Sequence, residues 1–193
     1  MFRSDAKANP AHPGHRVVDL IMSRYSFDVS TALGIGTPDA SPLPEDAEGE
    51  IVLRVPEGIC PRSLRKSPVG KALLWQGNTW YDKYAWSSQS LPPGIYRLRL
   101  PIPDSNRKTF KEQKALLLEG QEVAPLVLAE LALLCMQKAG HPDPLKNGFV
   151  RCRETADGYR VVLYWSGGRL YVYSSYVVDC RRDSVWLASA RTS

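Results

Sequence analysis

The chain has 193 residues, an apolar fraction of 44%, a charged fraction of 23% and a formal net charge of +5. That length and balance suit one domain of roughly 150 residues with loose ends and exclude wholesale disorder. The mildly basic composition, with a pI near 9.1, permits an anionic partner without requiring one. No apolar run approaches the ~18 residues of a membrane span, and the opening MFRSDAKANPAHPGH lacks the apolar stretch of a secretory leader. The expectation is a soluble cytoplasmic protein with no membrane association. Its four cysteines, Cys60, Cys135, Cys152 and Cys180, form no C-x-x-C pair and are expected as free thiols.

Residues 1–15, small, polar and broken by Pro10, Pro13 and Gly14, read as a flexible arm, and 16–193 as a single domain. Val17, Leu20, Ile21 and Tyr25 fall at helical spacing and predict a short amphipathic helix over 16–25. Residues 28–49 form an acidic connector rich in Pro and Gly, too poor in apolar residues to order itself. Charge reverses after it: 28–57 holds seven acids against one base, Arg54, whereas 60–114 holds eleven bases against three acids. Glu50–Val55 reads as a strand, and Val69–Trp75 as another. The pattern of Tyr96, Leu98, Leu100 and Ile102 against Arg97 and Arg99 predicts a strand with one buried face. Pro101, which has no N–H to donate, places it at a sheet edge or puts the proline near its end.

A short helix is predicted to begin near Thr109, and the principal helix over Glu122–Ala139, with Pro125 in its first turn and Gly140 and Pro142 as its stop. Its polar residues Glu122, Glu130 and Gln137 make only a narrow stripe, so it should lie at the centre of the core, with Glu130 on the side facing water. A β-meander follows, over Gly148–Glu154, Tyr159–Trp165, Arg169–Ser174 and Ser184–Ala190. Asp157-Gly158 and Gly167-Gly168 supply the turns. The strand Tyr159–Trp165 carries apolar bulk on both faces and should be central. The predicted fold is α+β: a C-terminal antiparallel meander packed on one long apolar helix, with N-terminal strands and a short helix completing the core.

Several residues invite chemistry, and each has a plainer reading. His12 and His15 have metal-ligand spacing but lack further ligands, so no metal is expected. His141 sits where an imidazolium would meet the negative end of the principal helix. Cys180, beside Arg181 and Arg182, could be an activated thiol, but Asp179 and Asp183 offset those cations. Glu130, if buried, would titrate high and could serve as an acid or base. The G-x-G of LGIGTPD opens no helix, so no phosphate loop and no cofactor is expected.

Residues 60–114 carry the signal worth following. Trp75, Trp80, Tyr81, Tyr84 and Trp86 place five aromatics in twelve residues, among Arg62, Arg65, Lys66, Lys71, Arg97, Arg99, Arg107, Lys108, Lys111 and Lys114. Rings stack on bases while cations neutralise phosphates, which suits single-stranded nucleic acid. Rings with amides and an acid also suit a carbohydrate or another small flat polar ligand. Against both stands the reading in which the tryptophans fill the core and the bases pair with the acidic block. The functional expectation is a non-enzymatic binding or accessory protein with a nucleic-acid, other anionic or protein partner. Its rival is a small enzyme built from distant residues such as Cys180, His141 and Glu130.

Overall fold

A computed structural model describes residues 25–45, 49–77, 79–145, 148–176 and 180–193. The arm 1–15, His12, His15 and all of the predicted first helix except Tyr25 lie outside the described residues. Tyr25 itself opens a strand, β1 (Tyr25–Asp28), parallel to β2 (Ile51–Val55). Strand pairing to β2 overrides the helical spacing here, because Tyr25 and Phe27 alternate onto the side of Ile51 and Leu53. Helix α1 (Val29–Leu33) follows at once, its first turn capped by Asp28, whose carboxylate accepts from the Thr31 N–H at 2.8 Å. The predicted connector is therefore partly regular. Beyond α1 its order comes from outside: Arg54 donates to the carbonyls of Asp39 at 2.8 Å and Pro42 at 2.9 Å.

Two short helices, α2 (Pro61–Lys66) and α3 (Pro68–Leu73), replace the strand predicted over Val69–Trp75. Ser67 caps α3 and Pro68 sits in its first turn, a start signal that outweighs the β-branched Val69. At Gly70 a Cβ would lie 2.0 Å from the Leu64 carbonyl oxygen, so only glycine lets the two helices meet this closely. Two 3-10 turns, Trp80–Lys83 and Ala85–Ser88, occupy the predicted aromatic loop.

Strand β3 (Gly94–Arg99) buries Tyr96 and Leu98, and Leu100 and Ile102 continue the buried side. It is interior to its sheet, so Pro101 marks its end and not an edge. Thr109 and Glu112 form a reciprocal cap on α4 (Phe110–Lys114). Glu122–Val123 then pairs as β4 against the C-terminal strand, which delays the principal helix, α5, to Leu126–Lys138. Every residue of α5 from Leu126 to Met136 is buried, Glu130 among them. It ends in two backbone bonds, Gly140 N–H to Gln137 O and His141 N–H to Met136 O, with Gly140 at φ 76°.

Strands β5 (Phe149–Ala156), β6 (Tyr159–Ser166) and β7 (Arg169–Tyr176) form the meander, with β6 interior as predicted. The predicted fourth strand divides. Residues Val185–Leu187 (β8) run parallel to β5, on the side away from β6. Residues Ser189–Thr192 (β9) insert between β3 and β4 of the other sheet. One residue, Ala188, carries the chain between sheets and bonds to both sides, to Arg151 O and from Ala124 N–H. The result is two sheets, ordered β1-β2-β3-β9-β4 and β7-β6-β5-β8. Their inner faces share one apolar core with α5, and a smaller cluster of Ile102, Phe110, Val123 and Leu187 covers part of the second sheet's outer face. The fold is α+β, with a C-terminal meander and one long buried helix.

Candidate functional site

The aromatic segment divides at Gly77. Beyond it, Tyr81 is 1% exposed, and Trp80, Tyr84 and Trp86 are half-buried against the core. These rings pack on one another, Trp80 edge-on to Tyr81 at 5.5 Å and Trp86 parallel to Tyr84 at 5.7 Å. Their polar ends are used: the Trp80 indole N–H donates to Val172 O at 3.4 Å, and that of Trp86 to Thr155 O at 3.1 Å. The segment thereby ties itself to β7 and β5 of the second sheet. Arg65 is buried over the Tyr81 ring and, with Arg62, engages Asp82.

The other basic residues lie apart. Arg97, on the outward side of β3, meets Glu50 at 3.3 Å and the carbonyl of Glu45 at 2.8 Å. Arg99 shares that side and is half-buried. Arg107 grips Asp183 through two bonds of 2.9 and 3.1 Å. Lys108 gives its carbonyl to Arg151, and Lys111 is exposed on α4. These residues therefore fall on the first sheet and around α4, while Trp75 stands beside β7. They do not converge on one surface.

Trp75 joins a different group. Its backbone N–H donates to Leu170 O at 2.9 Å, its ring stacks on Tyr171 at 5.2 Å, and the residue is 42% exposed. Tyr171 stacks on Tyr164 at 5.0 Å, and Tyr164 meets Phe149 at 4.9 Å. This row crosses β7, β6 and β5 on their outward side, with Tyr173, 49% exposed, next along β7. Alternation explains it: Leu170 and Val172 turn inward and are buried, so Arg169, Tyr171 and Tyr173 turn outward. The register then sets Tyr171 opposite Tyr164. Sequence reasoning left Tyr171, Tyr173 and Phe149 unassigned. The alternation in RLYVY was the available signal, but only the strand register puts Phe149 in line.

Glu130 corrects the expectation of a water-facing stripe. It is 0% exposed, and among the described residues neither carboxyl oxygen has a hydrogen-bond partner. Burial, reinforced by the charge of Glu154, raises its pKa well above the ordinary 4.5. Gln137, seven residues on and on the same side of α5, is exposed because burial ends after Met136, so the shared side is covered at Glu130 and open only in the last turn. Glu154, on β5, is also raised by burial, while one of its oxygens accepts the Leu126 N–H at 2.7 Å and so caps α5. The residues of the enzyme reading have separate surroundings. His141 packs on Tyr25 at 4.4 Å, and Cys180 gives its carbonyl to Arg151 at 2.7 Å with its sulfur 3.4 Å from Arg182. Among the described residues no three of His, Cys, Asp or Glu are grouped to hold a metal ion, and no helix is long and apolar enough to cross a membrane.

Comparison of the chain with protein-family models, with curated proteins and with solved structures gives no match.

Proposed function

We propose that the protein is a non-enzymatic binding protein that takes single-stranded nucleic acid across the outward face of its second sheet. The observation that carries this reading is the aromatic row Phe149, Tyr164, Tyr171 and Trp75, ending in a residue that is 42% exposed. Trp75, Tyr171 and Tyr164 stack near-parallel, Phe149 meets Tyr164 at a tilt of 48°, and Trp75 at the end of the row and Tyr173 beside it are the exposed members. Such faces accept bases of any sequence. Arg169 lies on the same side of β7 as Tyr171, and its guanidinium reaches the Leu74 carbonyl beside Trp75 at 3.5 Å. Lys71 is exposed on α3, which packs on β7. In this reading both cations meet phosphates, and the net charge of +5 favours encounter.

The test is fluorescence polarisation with a labelled oligothymidylate at low and raised salt. Retention at low salt should weaken steeply as salt rises, because each neutralised phosphate releases counterions. Trp75→Ala should cost about 1–3 kcal/mol of binding. A wild-type protein that ignores the oligonucleotide at low salt, or a Trp75→Ala protein that binds as well as wild type, overturns the reading.

A further inference from the structure

A cleft of about 390 Å³ opens between the two sheets at the start of α5, and its lining shares no residue with the aromatic row. We infer that this cleft is a binding site for a small neutral polyhydroxylated molecule, of the chemical class of a mono- or disaccharide. Its volume lies in the range of small-molecule pockets, and its lining decides the class.

Charge comes first. Two carboxylates, Glu122 and Glu154, and two guanidiniums, Arg153 and Arg191, line the cleft, so the lining has no net charge. The guanidiniums have acid partners already: Arg153 lies 3.8 Å from Glu154, and Arg191 lies 3.0 Å from Glu50. The start of α5 would ordinarily draw an anion, but Glu154, its side chain 8% exposed, fills that place on the Leu126 N–H. An anionic ligand would have to displace the protein's own carboxylate, and a cationic one would face two guanidiniums. A neutral ligand meets neither cost.

Hydrogen-bonding capacity narrows the class. Gln89, Ser90 and Thr192 each offer a donor and an acceptor, Arg153 offers donors, and Glu122 and Glu154 offer acceptors. A hydroxyl group both donates and accepts, so a ring bearing several of them matches this mixture, whereas a purely apolar molecule would strand it. The remaining wall is apolar, from Trp86, Leu91, Pro92 and Val127. The Trp86 N–H is committed to Thr155 O, leaving that residue to contribute contact alone, as the C–H groups of a sugar ring require. Pro125, also in the lining, has no N–H to leave unpaired.

Isothermal titration of the full chain with glucose, galactose, maltose and trehalose tests the inference, with inorganic phosphate and putrescine as charged probes. At least one sugar should bind saturably and shift tryptophan emission, and neither charged probe should. Glu154→Gln should weaken that binding at least tenfold. Because Glu154 also caps α5, the second variant is Ser90→Phe, which fills the mouth from an exposed position. It should abolish sugar binding with an unchanged melting temperature. Trp75→Ala, outside the lining, should leave sugar affinity as in wild type. Silence from every sugar, sugar binding that survives Ser90→Phe, or tighter binding of phosphate or putrescine overturns the inference.

Discussion

On the outward face of the first sheet Glu50, 5% exposed, is held between Arg97 and Arg191, and Arg54 binds Asp28 and Asp39. On the outward face of the second sheet the corresponding positions hold Tyr164, Tyr171, Tyr173 and Phe149, with Trp75 standing alongside. Both sheets close over the same core and the same helix, so the contrast does not come from a need for buried area. These charges are largely covered and satisfied by one another, with the Arg54 and Glu50 side chains 11% and 7% exposed, whereas rings left half-open retain contact energy that a partner could use. Among the described residues the charges of the first face are matched within the chain, whereas the part of the second face that the Phe110 cluster leaves uncovered carries exposed rings. That difference places the proposed contact surface.

The largest effects test the shared core on which both faces rest. Trp80→Ala should cost about 3–5 kcal/mol, since it removes a ring packed on the core and the strap to Val172 O. Chemical denaturation measures it, and a loss below about 1 kcal/mol would put Trp80 with the surface changes. Leu131→Ala, from a residue 0% exposed at the middle of α5, should cost about 2–5 kcal/mol in the same assay.

Glu130 gives a pH dependence that neither outer face shares. Its folded pKa is raised, so above 4.5 the unfolded chain releases this proton while the folded chain retains it. Stability contributed at this position therefore falls as pH climbs from 4.5 towards the raised folded value. Glu130→Gln should flatten that decline and raise the melting temperature at neutral pH more than at pH 4. An equal shift at both pH values would mean that the carboxyl is not titrating as its burial requires.

The smallest effects separate the two faces directly. Trp75→Ala and Arg191→Ala should each lower stability by less than about 1 kcal/mol, the first because the residue is exposed and the second because Arg191 is partly exposed and Arg97 still pairs with Glu50. Only Trp75→Ala should weaken oligonucleotide binding. Equal losses of binding from both would remove the distinction between the faces and leave net charge as the explanation.

Local chemistry in the sequence was enough to locate the hairpins of the meander, the cap at Thr109, the stop at Gly140 and the buried character of α5. Each depends on residues within one turn or one strand of each other, as Asp157-Gly158 does between β5 and β6. Long-range pairing was not legible. Tyr25 and Phe27 became a strand because Ile51 and Leu53 lie beside them, and Ser184–Ala190 split in two because its halves pair within different sheets, one at the edge beside β5 and one between β3 and β4. Glu130 looked like part of a polar stripe, since a helical wheel states which residues share a side and not what covers that side. Here α2 and the Tyr81 turn lie close enough for Arg65, Cys60 and Tyr81 to share its surroundings. The aromatic row and the cleft were beyond the sequence for the same reason. Composition can supply rings, amides and charges, but only strand register and the junction of two sheets decide which of them stand together.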